Sequence, residues 1–266
     1  MSDVMRLDAA LVARGIVGGR DKAKRLIADG QVSVNGRVVT KASVAVAPDD
    51  EVACAVRERF VGRGGEKLLK VLENTDLCVE GAVCADIGAS TGGFTDCLLQ
   101  HGAAKVYAID VGHDQLAEVL RADDRVVCME GVDVRHREAV TAQCPDGTLS
   151  LCTVDVSFIS LTQIWEAIEP MLAESGTVVC LIKPQFEAGR AALSKRGVVR
   201  DRKDHIRVLQ TLLRFWQERR FGVRYLSHSP ILGGEGNIEY VAWLSRDTVA
   251  KASPEAVVQA AFAAWK

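Results

Sequence analysis

A chain of 266 residues, 48% hydrophobic and 26% charged, holds enough apolar material for a sizeable core and more than one domain, which excludes wholesale disorder. Its formal net charge of −2 names no partner. No apolar run is long enough to span a bilayer or to make a signal-peptide core near the N-terminus, so a cytoplasmic protein without a membrane partner is expected.

The first 59 residues read as a small basic α+β module. Leu7, Leu11 and Val12 recur at helical spacing until Gly15, and Ala23, Leu26 and Ile27 form a second helical face that begins near Arg20 and stops at Gly30. Val32 and Val34 then alternate toward Asn35-Gly36, a hairpin signal, and a last strand is expected from Glu51 to Val56 after the turn at Pro48-Asp49-Asp50. The segment Arg20 to Arg25 sets four cations against one acid. On its own such a run reads as a solvated helix face.

Residues 60–64, including Phe60, Val61 and Arg63, are expected to link this module to a second domain over 65–266. There, strand candidates at Val83–Ile87, Lys105–Asp110, Val126–Glu130, Leu149–Asp155, Thr177–Lys183, Val223–Ser227 and Ile238–Leu244 alternate with helical stretches, except that only a glycine-containing loop separates the last two. That order predicts an α/β domain with a Rossmann-like, seven-stranded, mostly parallel sheet and one antiparallel strand. Ligands of such sheets bind at the carboxyl ends of the strands. The eight cysteines, several inside these strands, form no C-x-x-C pair, so buried thiols are expected and neither disulfides nor a metal site.

The first of these strands runs into "DIGASTGGFTD", which places Asp86, Gly88, Ala89, Ser90, Gly92 and Phe94 around a strand-to-helix turn. Glycines there let backbone approach a ligand, but the spacing is neither G-x-G-x-x-G nor a P-loop. The next strand ends in Asp110, 24 residues beyond Asp86, with Val111 beside it, and the third is followed by Asp133-Val134. A carboxylate at Asp110 can accept hydrogen bonds from two ribose hydroxyls, and Asp133 is placed to reach an adenine amino group. An adenosyl cofactor without a pyrophosphate is expected, and S-adenosylmethionine fits that description.

Four polar residues stand where strands and loops should converge: Lys67 in "GRGGEKL", Asp155 in "DVSFIS", Lys183 in "IKPQFE" and Glu239 in "GNIEYVAW". In the order Lys, Asp, Lys, Glu they resemble the catalytic tetrad of the FtsJ-like ribose 2'-O-methyltransferases. Together with "DIGASTGGFTD", "AIDVGHDQL" and "GVVRD", these stretches resemble the TlyA, or hemolysin A, family from about Arg6 to Leu244. The first module likewise resembles the alpha-L RNA-binding domain of that family. The resemblance implies 2'-O-methylation of a ribose, of cytidine, in ribosomal RNA on assembled subunits, small, large or both; separately, a monomer is expected. The resemblance makes Arg6, Arg20, Lys22, Lys24 and Arg25 phosphate contacts, and Lys183 either the base for the 2'-hydroxyl or the group that orients it. Lys67 would orient ribose or phosphate, Asp155 would hold Lys183, and Glu239 would complete the network. Residues 183–207 carry eight cations against three acids, so Arg190, Lys195 and Arg196, with Arg63, are further candidates for the RNA backbone. The competing readings are a non-catalytic ribosome assembly factor and a membrane-lysing protein.

Overall fold

The computed structural model describes residues 4–17, 19–55, 59–246 and 252–265. The chain divides into two compact units, Met1–Arg59 and Phe60–Lys266.

In the first unit β1 (Met5–Arg6) leads into α1 (Leu7–Ala13), and α2 (Arg20–Ala28) follows. Leu7, Leu11, Ala23, Leu26 and Ile27 are buried on the facing sides of the two helices and pack with Val32 and Val46. β2 (Val32–Val34) and β3 (Arg37–Val38) join at Asn35-Gly36, whose φ values of 49° and 76° are the left-handed pair that a two-residue hairpin turn requires. β4 (Ala45–Val46) pairs with β1, and β5 (Val52–Cys54) pairs with β2. Glu51 therefore stands outside the last strand: its N–H donates to Asn35 Oδ1 and braces the hairpin turn, and Val56 lies outside the described residues.

Phe60, at the start of the second unit, is buried in the cluster that contains Leu68 and Leu98, and the Val61 N–H donates to Asp96. The 60–64 stretch, expected as a link, is thus packed into the unit that follows it. The elements come in the order α3 (Gly64–Asn74), β6 (Val83–Ile87), α4 (Gly93–Gln100), β7 (Lys105–Asp110), α5 (Glu118–Arg121), β8 (Val126–Glu130), α6 (Arg137–Thr141) and β9 (Leu149–Val154). There follow α7 (Leu161–Ile168), β10 (Leu172–Ile182), α8 (Pro184–Glu187), α9 (Arg202–Glu218), β11 (Phe221–His228), β12 (Tyr240–Arg246) and α10 (Pro254–Ala264).

β6 to β12 make one seven-stranded sheet in the order β11-β12-β10-β9-β6-β7-β8, with β12 running against both neighbours. Both faces are covered, as the alternation along each strand shows. Ala85, Ile87, Tyr107 and Ile109 face one cluster with Trp165 and Trp216, while Cys84, Val106 and Ala108 face the other with Leu68 and Leu98. Cys84, Cys97, Cys144, Cys152 and Cys180 are buried thiols within this core.

Four strands depart from the expected bounds, β11 by running from Phe221 to His228, past both ends of the expected Val223–Ser227. β10 starts at Leu172, because Leu172 pairs with Leu149 ahead of a register shift and the exposed polar pair Glu174-Ser175, which looks like a turn, lies inside the strand. β9 stops at Val154 and β12 starts at Tyr240, so Asp155 and Glu239 sit just beyond the ladders. The sheet order reverses between β6 and β9, which is where a crevice opens in this class of sheet.

Candidate active site

Strand register brings the four polar residues to one end of the sheet. Ile87 pairs with Val154, Val154 with Cys180, and Ile182 with Tyr240, so Gly88, Asp155, Lys183 and Glu239 leave three adjacent crossings side by side. Lys67 arrives from α3. Its Nζ donates to Glu239 Oε2 at 2.7 Å and lies 3.8 Å from Asp155 Oδ2. Lys183 Nζ lies 2.6 Å from Asp155 Oδ1 and donates to Ser157 Oγ at 3.0 Å. The two lysines and Glu239 are buried, and two ammonium groups against two carboxylates keep the cluster neutral, the condition under which buried charge is tolerated.

Three cavities meet at this cluster, and Asp155 and Ser157 line all of them. The largest, about 930 Å³, is lined by the whole tetrad together with Arg63, Arg190 and Arg196. A second, about 610 Å³, runs along the ends of β6, β7 and β8 past Gly88, Ser90, Asp110, Val111, Asp133 and Val134. A third, about 220 Å³, lies between them beneath Asp86, Ala89, Gly93 and Phe94.

The glycine loop has distinct jobs at each position. Gly88, at φ 82°, lies against the Asp155 backbone so closely that a Cβ would stand 2.5 Å from the Asp155 carbonyl oxygen. Gly92, at φ 95°, lines none of these cavities: a Cβ there would run into Leu116 and Leu120, so it packs the loop onto α5. Gly93 instead lines the small cavity and touches the backbone of Gly62 to Gly65, which seats the "GRGGEKL" turn against the loop.

The acids differ as sharply. Asp86 is buried and accepts from the Thr95 N–H at 2.9 Å and the Thr95 hydroxyl at 2.7 Å, and burial pushes its carboxyl up to about 7. Asp110 accepts from the Ser90 and Gly112 N–H groups at 2.8 and 2.7 Å, leaving a lone pair on each oxygen. Asp133 is turned toward Arg135, whose guanidinium and N–H hold its carboxyl down at about 2. Arg135 thereby joins Asp133 in the wall of the second cavity.

Of the basic candidates, Arg63, Arg190 and Arg196 rim the large cavity, Arg196 pairing with Glu235 at 3.0 Å, while the exposed Lys195 is not part of its lining. In the first unit Arg6 and Arg20 both bind the buried Asp8, at 3.0 and 3.1 Å, Lys24 pairs with Asp21, and Arg25 is exposed. The Lys22 side chain lies outside the described residues.

Sequence reasoning passed over Ser157 and Phe158. Phe158 is 90% exposed, has φ 65°, rests against Phe186 with ring centroids 5.0 Å apart, and lines both larger cavities. An aromatic residue in a polar loop straight after a strand was the available signal, since a left-handed backbone at a bulky residue needs surrounding structure to hold it.

Comparison with known proteins gives a consistent picture. Residues 60–246 match the FtsJ-like methyltransferases and residues 5–52 match the S4 domain. A Bacillus subtilis protein described as a candidate rRNA methyltransferase, YqxC, is 43% identical over 90% of this chain and 85% of its own length. A protein of Mycobacterium tuberculosis described as a 16S/23S rRNA (cytidine-2'-O)-methyltransferase, TlyA, is 39% identical over 91% of this chain and 90% of its own. A solved structure from Streptococcus thermophilus, described as a candidate hemolysin, superposes with a TM-score of 0.76 at 40% identity, covering 99% of this chain and 97% of that one.

Proposed function

The chain belongs to the FtsJ-like methyltransferase family, and on that premise we propose that it methylates the 2'-hydroxyl of a cytidine ribose in ribosomal RNA, on assembled subunits. The observation that carries this reading is the pair of ion contacts, Lys67–Glu239 and Lys183–Asp155, in the wall of a substrate-sized cavity, with Asp155 also lining the neighbouring cofactor-sized one.

S-adenosylmethionine supplies an electrophilic sulfonium methyl group, and the residues present fit it. Asp110 keeps lone pairs for ribose hydroxyls, Val111, Val132 and Val134 offer apolar surface for an adenine, and the small cavity under the glycine loop takes the amino-acid end. Asp155 and Ser157 stand where that cavity opens into the large one, so the methyl group and the ribose meet beside Lys183.

A ribose hydroxyl is barely ionised at neutral pH, so its oxygen must be aligned and its proton removed as the bond from methyl carbon to oxygen forms and the bond from that carbon to the sulfonium sulfur breaks. Lys183 donates to Ser157 Oγ and is ion-paired with Asp155, which fixes its Nζ beside the space open to the 2'-oxygen. The proton ends on the Asp155 carboxylate, Lys183 giving one ammonium proton to Asp155 as it takes the proton of the hydroxyl, and Lys67 with Glu239 holds Asp155 in place. Phe158 presents an exposed ring on which an unstacked base can lie while its ribose enters the cleft. Arg63, Arg190 and Arg196 meet the phosphates at the rim, and Arg6, Arg20, Lys24 and Arg25 of the S4 domain meet the RNA elsewhere. Among the described residues no helix is long and apolar enough to cross a membrane.

The test incubates the protein with methyl-labelled S-adenosylmethionine and separated, under-methylated ribosomal subunits, wild type beside Lys183→Ala, followed by nucleoside analysis. Label recovered as 2'-O-methylcytidine with wild type alone is the expected result. Subunit binding without label from either protein would favour an assembly factor instead.

A further inference from the structure

One buried titratable side chain near the site takes no part in the chemistry above. His205, on α9, is 1% exposed, and both of its ring nitrogens are engaged. Nε2 meets the Val199 carbonyl oxygen at 3.0 Å and Nδ1 meets the Tyr240 hydroxyl at 2.8 Å. A carbonyl can only accept, so Nε2 carries the hydrogen, and the neutral ring then accepts at Nδ1 from the tyrosine O–H. Burial pushes the imidazole below its usual range, in accord with that neutral form. The Tyr240 and Phe262 rings pack edge-on against it, at centroid distances of 5.7 and 5.1 Å, and fix its plane.

What His205 connects is the point. Tyr240 is the first residue of β12, next to Glu239, and pairs with Ile182, next to Lys183. Val199 anchors the segment that carries Arg190 and Arg196 at the rim of the large cavity. Val199 is itself buried; its N–H donates to Asn237 Oδ1, and it bridges to Leu193. Asn237 in turn donates to the carbonyls of Gly197 and Gly234 at 3.3 and 3.0 Å. The rim segment has little regular structure of its own, one short 3-10 turn at Arg190–Ala192, so its position depends on these side-chain bonds.

We infer that His205 is a positioning residue for the RNA: it ties the arginine-bearing rim segment to the strand that presents Glu239, so that phosphate contacts and the catalytic cluster share one frame. It touches neither cofactor nor hydroxyl. Its loss should weaken productive RNA binding while leaving the cofactor cavity, on the far side of Asp155, untouched. This inference rests on the proposed RNA substrate.

The experiment compares wild type, His205→Ala, His205→Gln and Tyr240→Phe, each at a temperature well below its own unfolding transition. S-adenosylmethionine affinity is measured by calorimetry without RNA, kinetics with under-methylated subunits, and hydrogen exchange over residues 190–200. For His205→Ala, KM for the subunits should rise about tenfold, the effect of one buried hydrogen bond, with cofactor affinity and kcat within twofold of wild type and faster exchange over 190–200. His205→Gln, whose amide N–H can still reach Val199, should recover most of the KM, and Tyr240→Phe should fall between the two. A His205→Ala protein with wild-type KM, or one that loses cofactor affinity in step with KM, overturns the inference. Hydrogen exchange reports on the tie without RNA: faster exchange in His205→Ala from a wild-type enzyme that labels no subunit leaves the tie standing and refutes the RNA substrate. Unchanged exchange refutes the tie itself.

Discussion

Replacing Gly88 with alanine tests whether the glycine loop sets the position of Asp155. Gly88 holds φ 82°, and its missing Cβ would stand 2.5 Å from the Asp155 carbonyl oxygen and 2.9 Å from the carbonyl carbon, in backbone that has no rotamer by which to escape. Separation of the atoms moves Asp155 by about 0.5 Å or more, since Cβ contacts under 3.0 Å do not persist. A left-handed backbone costs an alanine about 1–2 kcal/mol, and overpacking adds about 1–3 kcal/mol. A domain of this size loses roughly 2–4 °C of melting temperature per kcal/mol, so Gly88→Ala should melt roughly 5–20 °C below wild type. Because a 1 Å misplacement at a reacting centre costs about 10²-fold, kcat should also fall at least about tenfold. Gly147→Ala is the control: φ is 72° but nothing lies within 4 Å of its Cβ, so only the backbone cost applies and kcat should be unchanged. Both are measured by thermal unfolding and by methyl transfer below the transition. Equal kcat values in the two variants would refute the claim that Gly88 holds Asp155 in place.

Asp86 makes stability depend on pH. Its carboxyl is raised from 3.8 to about 7 by burial, so its contribution is complete below pH 3.8 and is lost as pH rises through 7. Asp86→Asn should therefore remove part of the fall in melting temperature between pH 5 and pH 8, and identical pH profiles would contradict this. In the first unit, the carboxyl of Asp8 is held at about 2, chiefly by its hydrogen bond from Arg6, and Arg20 adds to the effect. That contribution is present above pH 3.8 and lost as pH falls through 2, so Asp8→Ala should cost about 2 kcal/mol at pH 7 and less toward pH 2, read by chemical denaturation. Arg190→Ala with Arg196→Ala should flatten the dependence of log KM for ribosomal subunits on log salt by about 0.7–0.9 per lost phosphate contact, measured between 50 and 200 mM salt, with cofactor affinity unchanged.

Much of the second unit was legible because its central strands are buried on both faces and even the edge strand β8 is largely apolar. Val83–Ile87, Lys105–Asp110 and Val126–Glu130 are compact apolar runs bounded by turn residues or acids, and the structure places β6, β7 and β8 at those residues. Asn35-Gly36 was legible for a different reason, since few residue pairs accept two successive left-handed conformations. β1 and β4, two residues each, carry no periodicity to read, and Glu174-Ser175 misled because an exposed polar pair inside a strand has the composition of a turn.

Composition and period by themselves determined an apolar core, a basic leading module and an alternating α/β domain with acids at the strand ends. Resemblance to the FtsJ-like family drew attention to Lys67, Asp155, Lys183 and Glu239 as an ordered set. Only tertiary structure decided what each one touches. Lys67 meets Glu239 across 172 positions, Lys183 meets Ser157 across 26, and His205 meets Tyr240 across 35. It also turned Asp133 onto Arg135 and gave Gly92 to the packing of α5 rather than to a cavity. The division has a physical cause: backbone conformation and burial are set largely by neighbours in sequence and leave a local pattern, whereas a hydrogen bond between distant side chains exists only once sheet register and packing have placed both atoms within about 3 Å.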